Sequence, residues 1–378
     1  MSAPSNRLAK TLEPSVLAAI RLSLVPGIGP RTYAQLVAAF GGPEQVLRTA
    51  PAELRALPGI GAKLARDVAL ASQEVEIDDE LQRCSDFGID ILEVHSEAYP
   101  RRLKEIFDPP AVLFCQGQLL PQDDLAIAIV GTRHASTYGL VQAERFAKGL
   151  AMAGMTIISG LARGIDSAAH RGALAAGGRT IAVLGSGILN LYPPDHRPLA
   201  DEIVNHGAIL SEFPTLQPPK AGAFPRRNRL VSGLGLGVLV IEAAERSGAL
   251  ISARHAMEQG REVFALPGRI DNRNSRGCHR LIRDGAKLVE NIDDVLAELG
   301  PLATPTTIDS TKAIHHPAEL SLNDREQTVL QAIDQEPTNI DEVVRKTAFP
   351  VQQVLATISA LEMRRLVRRV SGSVLIRL

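Results

Sequence analysis

Residues 224–230, read FPRRNRL, place three arginines, an asparagine and a Phe-Pro pair within seven positions, with Lys220 just upstream. Guanidinium forks bind phosphate oxygens bidentately. A phenyl ring beside them can stack on a nucleobase. The whole chain carries a formal net charge of −1, so this is a local cationic cluster on a neutral background. The same run also reads as a solvated helix start with surface arginines. Four further loops carry related chemistry: 131–136 (GTRHAS), 159–166 (SGLARGID), 185–187 (GSG) and 242–248 (EAAERSG). Each joins glycine, which admits close backbone approach, to a hydroxyl or an arginine, the composition of a phosphate cradle.

Other chemistries fit less well. A dinucleotide site needs GxGxxG after its first strand, and Arg133 stands where the second glycine belongs. There is no Walker lysine, so neither NAD nor ATP is supported and no cofactor is expected. Asp166 and His170 could share a helix face, but Asp166 directly precedes a helical pattern, where it serves as a cap. Ser247 also stands at a helix start. Tyr192-Pro193-Pro194 reads as a rigid turn. No Ser/His/Asp set has interpretable spacing, so no catalytic residue is assigned. Cys84, Cys115 and Cys278 form no CxxC pair, and no His sits at metal spacing. They read as reduced, buried thiols of a cytoplasmic protein with no metal site.

The elements that must position these loops divide the chain. At 378 residues two or three domains are expected, with aliphatic cores, because aromatics make up 3% and Trp is absent. The first block, 1–72, repeats one phrase: Leu24-Val25-Pro26-Gly27-Ile28-Gly29-Pro30, then Leu57-Pro58-Gly59-Ile60-Gly61-Ala62-Lys63. Each lies between helical patterns, the spelling of a helix-hairpin-helix or SAM-like bundle. Its turns either bind phosphate or only join helices. An acidic stretch, 74–90, follows, then a short strand at 89–94.

The block 73–299 alternates apolar runs with amphipathic helices. Runs at 125–130, 155–159, 180–184, 208–211, 236–242 and 262–265 suit buried parallel strands. Helical patterns between them give a doubly wound α/β domain. Ligands of such sheets sit at the carboxyl ends of the strands, where the glycine loops fall. A proline-containing linker, 300–321, leads to a third block, 322–378, with three helical patterns and a hairpin, a winged helix. No apolar run approaches a membrane span, and the first ten residues lack a signal core.

With these phrases in hand, the chain resembles the DNA-processing protein A family, also called Smf. The resemblance rests on IVGTRHASTYG, SGLARGIDSAAHRGAL, TIAVLGSGILNLYPPDH, LSEFP, FPRRNRLVSGLG, VIEAAERSGALISARHAMEQGREVFALPG and GCHRLIRDGAKLV, in family order over 125–289. It implies an extended Rossmann-like fold without established catalysis. It also implies a cytoplasmic, dimeric protein that binds incoming single-stranded DNA in natural transformation and loads RecA recombinase. Carried over, it favours Arg133, Ser136, Gly160, Arg163, Gly164, Lys220, Phe224, Arg226, Arg227, Asn228, Arg229, Ser247 and Gly248 as DNA contacts. It places dimerisation near 278–288. Substituting Arg227, or Arg226 with Arg229, is then expected to weaken strand binding without unfolding the domain. The competing reading is an enzyme releasing bases from nucleoside monophosphates. Such enzymes carry a GGxGTxxE turn, where this chain has GSGI and EAAERSGAL. A protein-only adaptor is the third reading.

Overall fold

The computed structural model describes residues 12–300, 306–309, 312–314, 322–334, 337–364, 366–371 and 373–377. The first ten residues and most of the expected linker, 300–321, lie outside them. The chain divides into two compact units. Unit one takes the chain up to Leu119 with Gly160–Ala162 and Ile181–Leu234. Unit two takes Leu120–Ser159, Arg163–Thr180 and the chain from Gly235 onward. The main strands are β1 (Ile89–Glu93), β2 (Val112–Gly117), β3 (Ala126–Val130), β4 (Thr156–Ser159), β5 (Thr180–Val183), β6 (Gly207–Ser211), β7 (Gly237–Val240), β8 (Glu262–Ala265) and β9 (Lys287–Leu288).

Unit one begins with the two repeated phrases, which fold alike. In the first, Gly27 takes φ +94°, Ile28 N–H donates to Val25 O and Tyr33 N–H to Gly29 O. In the second, Gly59 takes φ +86°, Ile60 N–H donates to Leu57 O and Ala65 N–H to Gly61 O. The positive φ requires glycine at both turns. Helices Pro14–Leu24, Pro30–Phe40, Pro43–Arg48 and Pro51–Leu54 each open on proline, whose fixed φ suits the first helical position. The acidic stretch contains a helix, Asp78–Asp86, absent from the sequence reading. It turns Glu80 inward, where the carboxylate accepts from Thr215 N–H and from its Oγ1 at 3.1 Å. Neighbouring strands run β1-β2-β6-β5. β2 pairs antiparallel with both β1 and β6, so the run at 208–211 is not wholly within the parallel pairing expected of it.

Unit two holds the parallel part, ordered β4-β3-β7-β8-β9, with β3–β4, β3–β7, β7–β8 and β8–β9 all parallel. Strand order reverses at β3, which is the switch point of a doubly wound sheet. Its core is aliphatic: Ile127, Ile129, Leu150, Ile157, Ala169, Leu239, Ile241 and Leu296, with Phe146 and Phe264. Further along the chain, Asp324–Gln331, Ile340–Thr347 and Val351–Met363 pack on their own core with Leu366, Val367 and Leu375. Strands Thr338–Asn339, Val374–Arg377 and Val367–Ser371, in that order, complete a winged helix. The fold class is thus the expected one: helix-hairpin-helix bundle, mostly parallel α/β core and winged helix. Among the described residues no helix is long and apolar enough to cross a membrane.

Candidate nucleic-acid interface

The sequence-predicted residues fall into two groups, one in each unit. In unit one, 224–230 lies on helix Ala223–Leu234. Its apolar stripe is Ala223, Leu230, Val231 and Leu234, all buried. Arg227 falls on that stripe and is 4% exposed. Its Nη1 donates to the Gly160 carbonyl at 2.6 Å and also to the Val183 carbonyl, at the end of β5. Its Nε donates to Asn228 Oδ1 at 3.3 Å. A Cβ at Gly160 would collide with the guanidinium. Arg227 therefore satisfies strand-end carbonyls, and Gly160 is small to admit it. Both residues, expected from the resemblance as DNA contacts, are thus engaged within the protein here, and Arg227 has a structural role beside any contact with phosphate.

Arg229, also 4% exposed, is likewise an internal tie. Its Nη2 donates to Glu212 Oε2 at 2.6 Å and its Nη1 to the Asp108 carbonyl at 2.8 Å. Glu212 is buried, and the same Oε2 accepts from Arg226 Nη2 at 2.8 Å. The one carboxylate faces two guanidiniums, and Arg226 remains 43% exposed at its side chain. Arg226 also lies 5.3 Å from the Phe213 ring centroid. Phe224 is half-buried, 5.8 Å from the Tyr192 ring, and its ring closes over Gly185. Asn228 accepts from Arg227, a holding role rather than an exposed one. Lys220 is exposed. The outward chemistry of this group reduces to Lys220, Arg226 and an edge of Phe224.

In unit two the loops after β3 and β7 flank the switch point. Ser136 caps helix Thr137–Met152, accepting from Gly139 N–H at 3.1 Å. Its Oγ donates to Glu242 Oε1 at 2.6 Å and its N–H to Glu242 Oε2 at 2.9 Å. Asn272 Nδ2 donates to the same carboxylate at 3.4 Å. A helix N-terminus attracts anions. Here the chain supplies its own, Glu242, 2% exposed, where a dinucleotide fold would hold pyrophosphate. Ser136, expected as a DNA contact, thus gives both its hydroxyl and its amide hydrogen to Glu242.

Gly164 takes φ +81°, and a Cβ there would strike the Thr132 and Arg133 carbonyl oxygens. The glycine thus seats one loop's backbone on the other's. Arg133 and Arg163 project outward from this stack, both exposed. Gly248 is the backbone cap of helix Ala249–Glu258, and Ser247 Oγ accepts from Ala249 N–H at 3.3 Å. His170 is fully buried, its Nδ1 2.7 Å from Thr180 Oγ1. Thr180 donates to the Ile157 carbonyl, so it accepts from the imidazole N–H.

A second basic surface escaped the sequence reading. A cavity of about 610 Å³ in unit two is lined by Glu245, Arg246, Arg276, His279, Arg280 and Arg283, with Ile270 at its rim, 87% exposed. Arg276, Arg280 and Arg283 repeat at helical spacing on Arg276–Arg283, which is the signal that would have found it. The three cysteines are buried, and burial pushes the Cys84 and Cys278 thiols up to about 12. Among the described residues no cluster could hold a metal ion.

Among known proteins, the DNA recombination-mediator protein A family matches residues 90–300, the DprA winged helix domain 313–373 and the SAM-like helix-hairpin-helix tandem 19–74. Protein Smf of Escherichia coli is 42% identical over 75% of this chain and 76% of its own. Protein Smf of Synechocystis is 34% identical over 93% of this chain and 96% of its own. The X-ray structure of DNA processing protein A from Streptococcus pneumoniae superposes with TM-score 0.66 at 36% identity, covering 76% of this chain and 98% of that one. A DNA processing protein A structure from Helicobacter pylori, described for its single-stranded DNA binding mode, gives TM-score 0.51 at 32% identity. It covers 56% of this chain and 96% of that one. The specific phrases and the architecture thus converge: this chain belongs to the DNA recombination-mediator protein A family.

Proposed function

We propose that this protein binds single-stranded DNA, protects it and loads RecA recombinase onto it, as a cytoplasmic homodimer without catalytic activity. One observation carries the reading: the likeness to the Helicobacter pylori protein described for single-stranded DNA binding. The sites agree with it. In a chain of net charge −1, the exposed cations Arg133, Arg163, Lys220 and Arg226 sit at strand-end loops or beside a helix start. Ser247 and Gly248 offer a helix start of their own. Phosphate contacts by guanidinium and ammonium groups are indifferent to sequence and weaken steeply with salt. The nucleotide-cleaving alternative is disfavoured by Glu242, whose carboxylate is enclosed by Ser136 and Asn272 rather than presented to a ribose.

Dimerisation is proposed near 278–288, as the resemblance implies. Leu288 is a large apolar side chain left exposed there, with Ile270 another upstream, and among the described residues β9 is the last strand of its sheet. The winged helix carries no cation on helix Val351–Met363, and Arg364 and Arg369 face Glu326 and Glu362. It is therefore assigned no share in strand binding. Gel shifts with single- and double-stranded oligonucleotides test the reading, together with incubation with nucleoside monophosphates. Binding of the single strand without release of free base is expected. Base release at turnover would overturn it.

A further inference from the structure

We propose that Phe107 is a base-stacking platform, with Arg31 at its back, which extends the strand-binding surface onto the helix-hairpin-helix block. The proposal rests on the single-strand reading above. Phe107 is 78% exposed, although burying such a ring would stabilise the fold by about 1.5–3 kcal/mol. The Arg31 guanidinium carbon stands 4.4 Å from the ring centroid. With one face so covered, a ring this exposed has its other face in water. A lone exposed phenylalanine is ordinary. This one has a rigid mount and a cation against its ring.

The mount is the turn 107–110. Asp108 gives its carbonyl to Arg229 Nη1 at 2.8 Å, and its carboxylate lies 3.4 Å from Arg229 Nε. Pro109 and Pro110 restrict the backbone, and Tyr99 Oη donates to the Pro110 carbonyl at 2.9 Å. The same contacts tie Arg226 to the mount. Arg229 shares Glu212 Oε2 with Arg226. A cavity of about 30 Å³ is lined by Pro30, Tyr33, Pro110, Glu212 and Arg226, which brings the residue preceding Arg31 beside Arg226. The Tyr33 hydroxyl and Glu212 Oε1 are buried there without a protein partner. That volume suits about one water between them. The first hairpin thus meets Arg226 across this cavity, through Pro30 and Tyr33.

Aromatic stacking holds single-stranded bases with little sequence preference, and a guanidinium behind the ring adds cation–π attraction. An oligothymidylate carrying 2-aminopurine, titrated with the full-length chain, tests this. We expect Phe107→Ala and Phe107→Leu to weaken binding by about fivefold or more and to relieve the 2-aminopurine quenching. Phe107→Tyr should restore both, and all three variants should keep the parent melting temperature. Affinity unchanged in Phe107→Ala, or not restored by tyrosine, overturns the proposal alone. Absence of binding by the unsubstituted chain overturns the single-strand reading and this proposal with it.

Discussion

The Arg227 guanidinium fills the space that a side chain at residue 160 would need, and its Nη1 donates to the Gly160 carbonyl at 2.6 Å. A phosphate-binding motif read from sequence is therefore, at its centre, a structural tie. Replacing Arg227 with alanine leaves the Gly160 and Val183 carbonyls without their donor. Each buried, unsatisfied acceptor costs about 1–3 kcal/mol, so Arg227→Ala should lose about 2–4 kcal/mol of stability. Urea denaturation checks this; an unchanged midpoint contradicts it.

Glu242→Ala removes the anion from the start of helix Thr137–Met152 and leaves Ser136 N–H and Oγ without their acceptor. A loss of about 1–3 kcal/mol is expected. Sulfate should recover part of it by taking the carboxylate's place. Melting temperatures in sulfate and in chloride at equal ionic strength make the comparison. Equal recovery in both salts contradicts the account.

Some of this was legible in the sequence. The repeated Pro-Gly-Ile-Gly phrase defined both helical hairpins because each turn is closed by local hydrogen bonds. The apolar runs marked the strands because parallel strands are buried on both faces. The inward turn of Arg227 was also written there: it shares a helical stripe with Ala223, Leu230 and Leu234. The charge of the motif concealed its periodicity. The partners Glu212 and Asp108 could not be read, since no local rule links them to Arg229. Helix Asp78–Asp86 escaped for a similar reason, because Glu80 is turned inward toward Thr215. β9, with two residues, carries no pattern at all.

With Arg227 and Arg229 assigned to the interior, Lys220 and Arg226 become the test of the outward surface in unit one. Lys220→Ala with Arg226→Ala should weaken single-strand affinity and flatten its salt slope by about 0.7 for each cation–phosphate pair removed. The melting temperature should hold, because Glu212 keeps Arg229. Parent affinity and slope in the double variant would remove both residues from the interface.

The winged helix has its own core, so ending the chain before Leu322 should spare the rest. Single-strand binding should stay within about twofold of the parent, since its third helix offers phosphate no cation. Gel shift decides; complete loss of binding would make the winged helix the DNA reader.

Burial raises the Cys84 and Cys278 thiols to about 12. At pH 8 both stay protonated, and the thiolate is the nucleophile. Iodoacetamide should therefore label the native protein slowly and the urea-unfolded chain at all three cysteines. Mass spectrometry counts the adducts, and fast native labelling of either residue contradicts its enclosure.

The most direct measurement is the affinity of the full-length chain for an oligothymidylate and for a duplex of equal length across a series of salt concentrations. The account predicts preference for the single strand and a linear fall of log affinity with log salt, with a slope reflecting several phosphate contacts. A flat salt response, or equal affinity for the duplex, would contradict it.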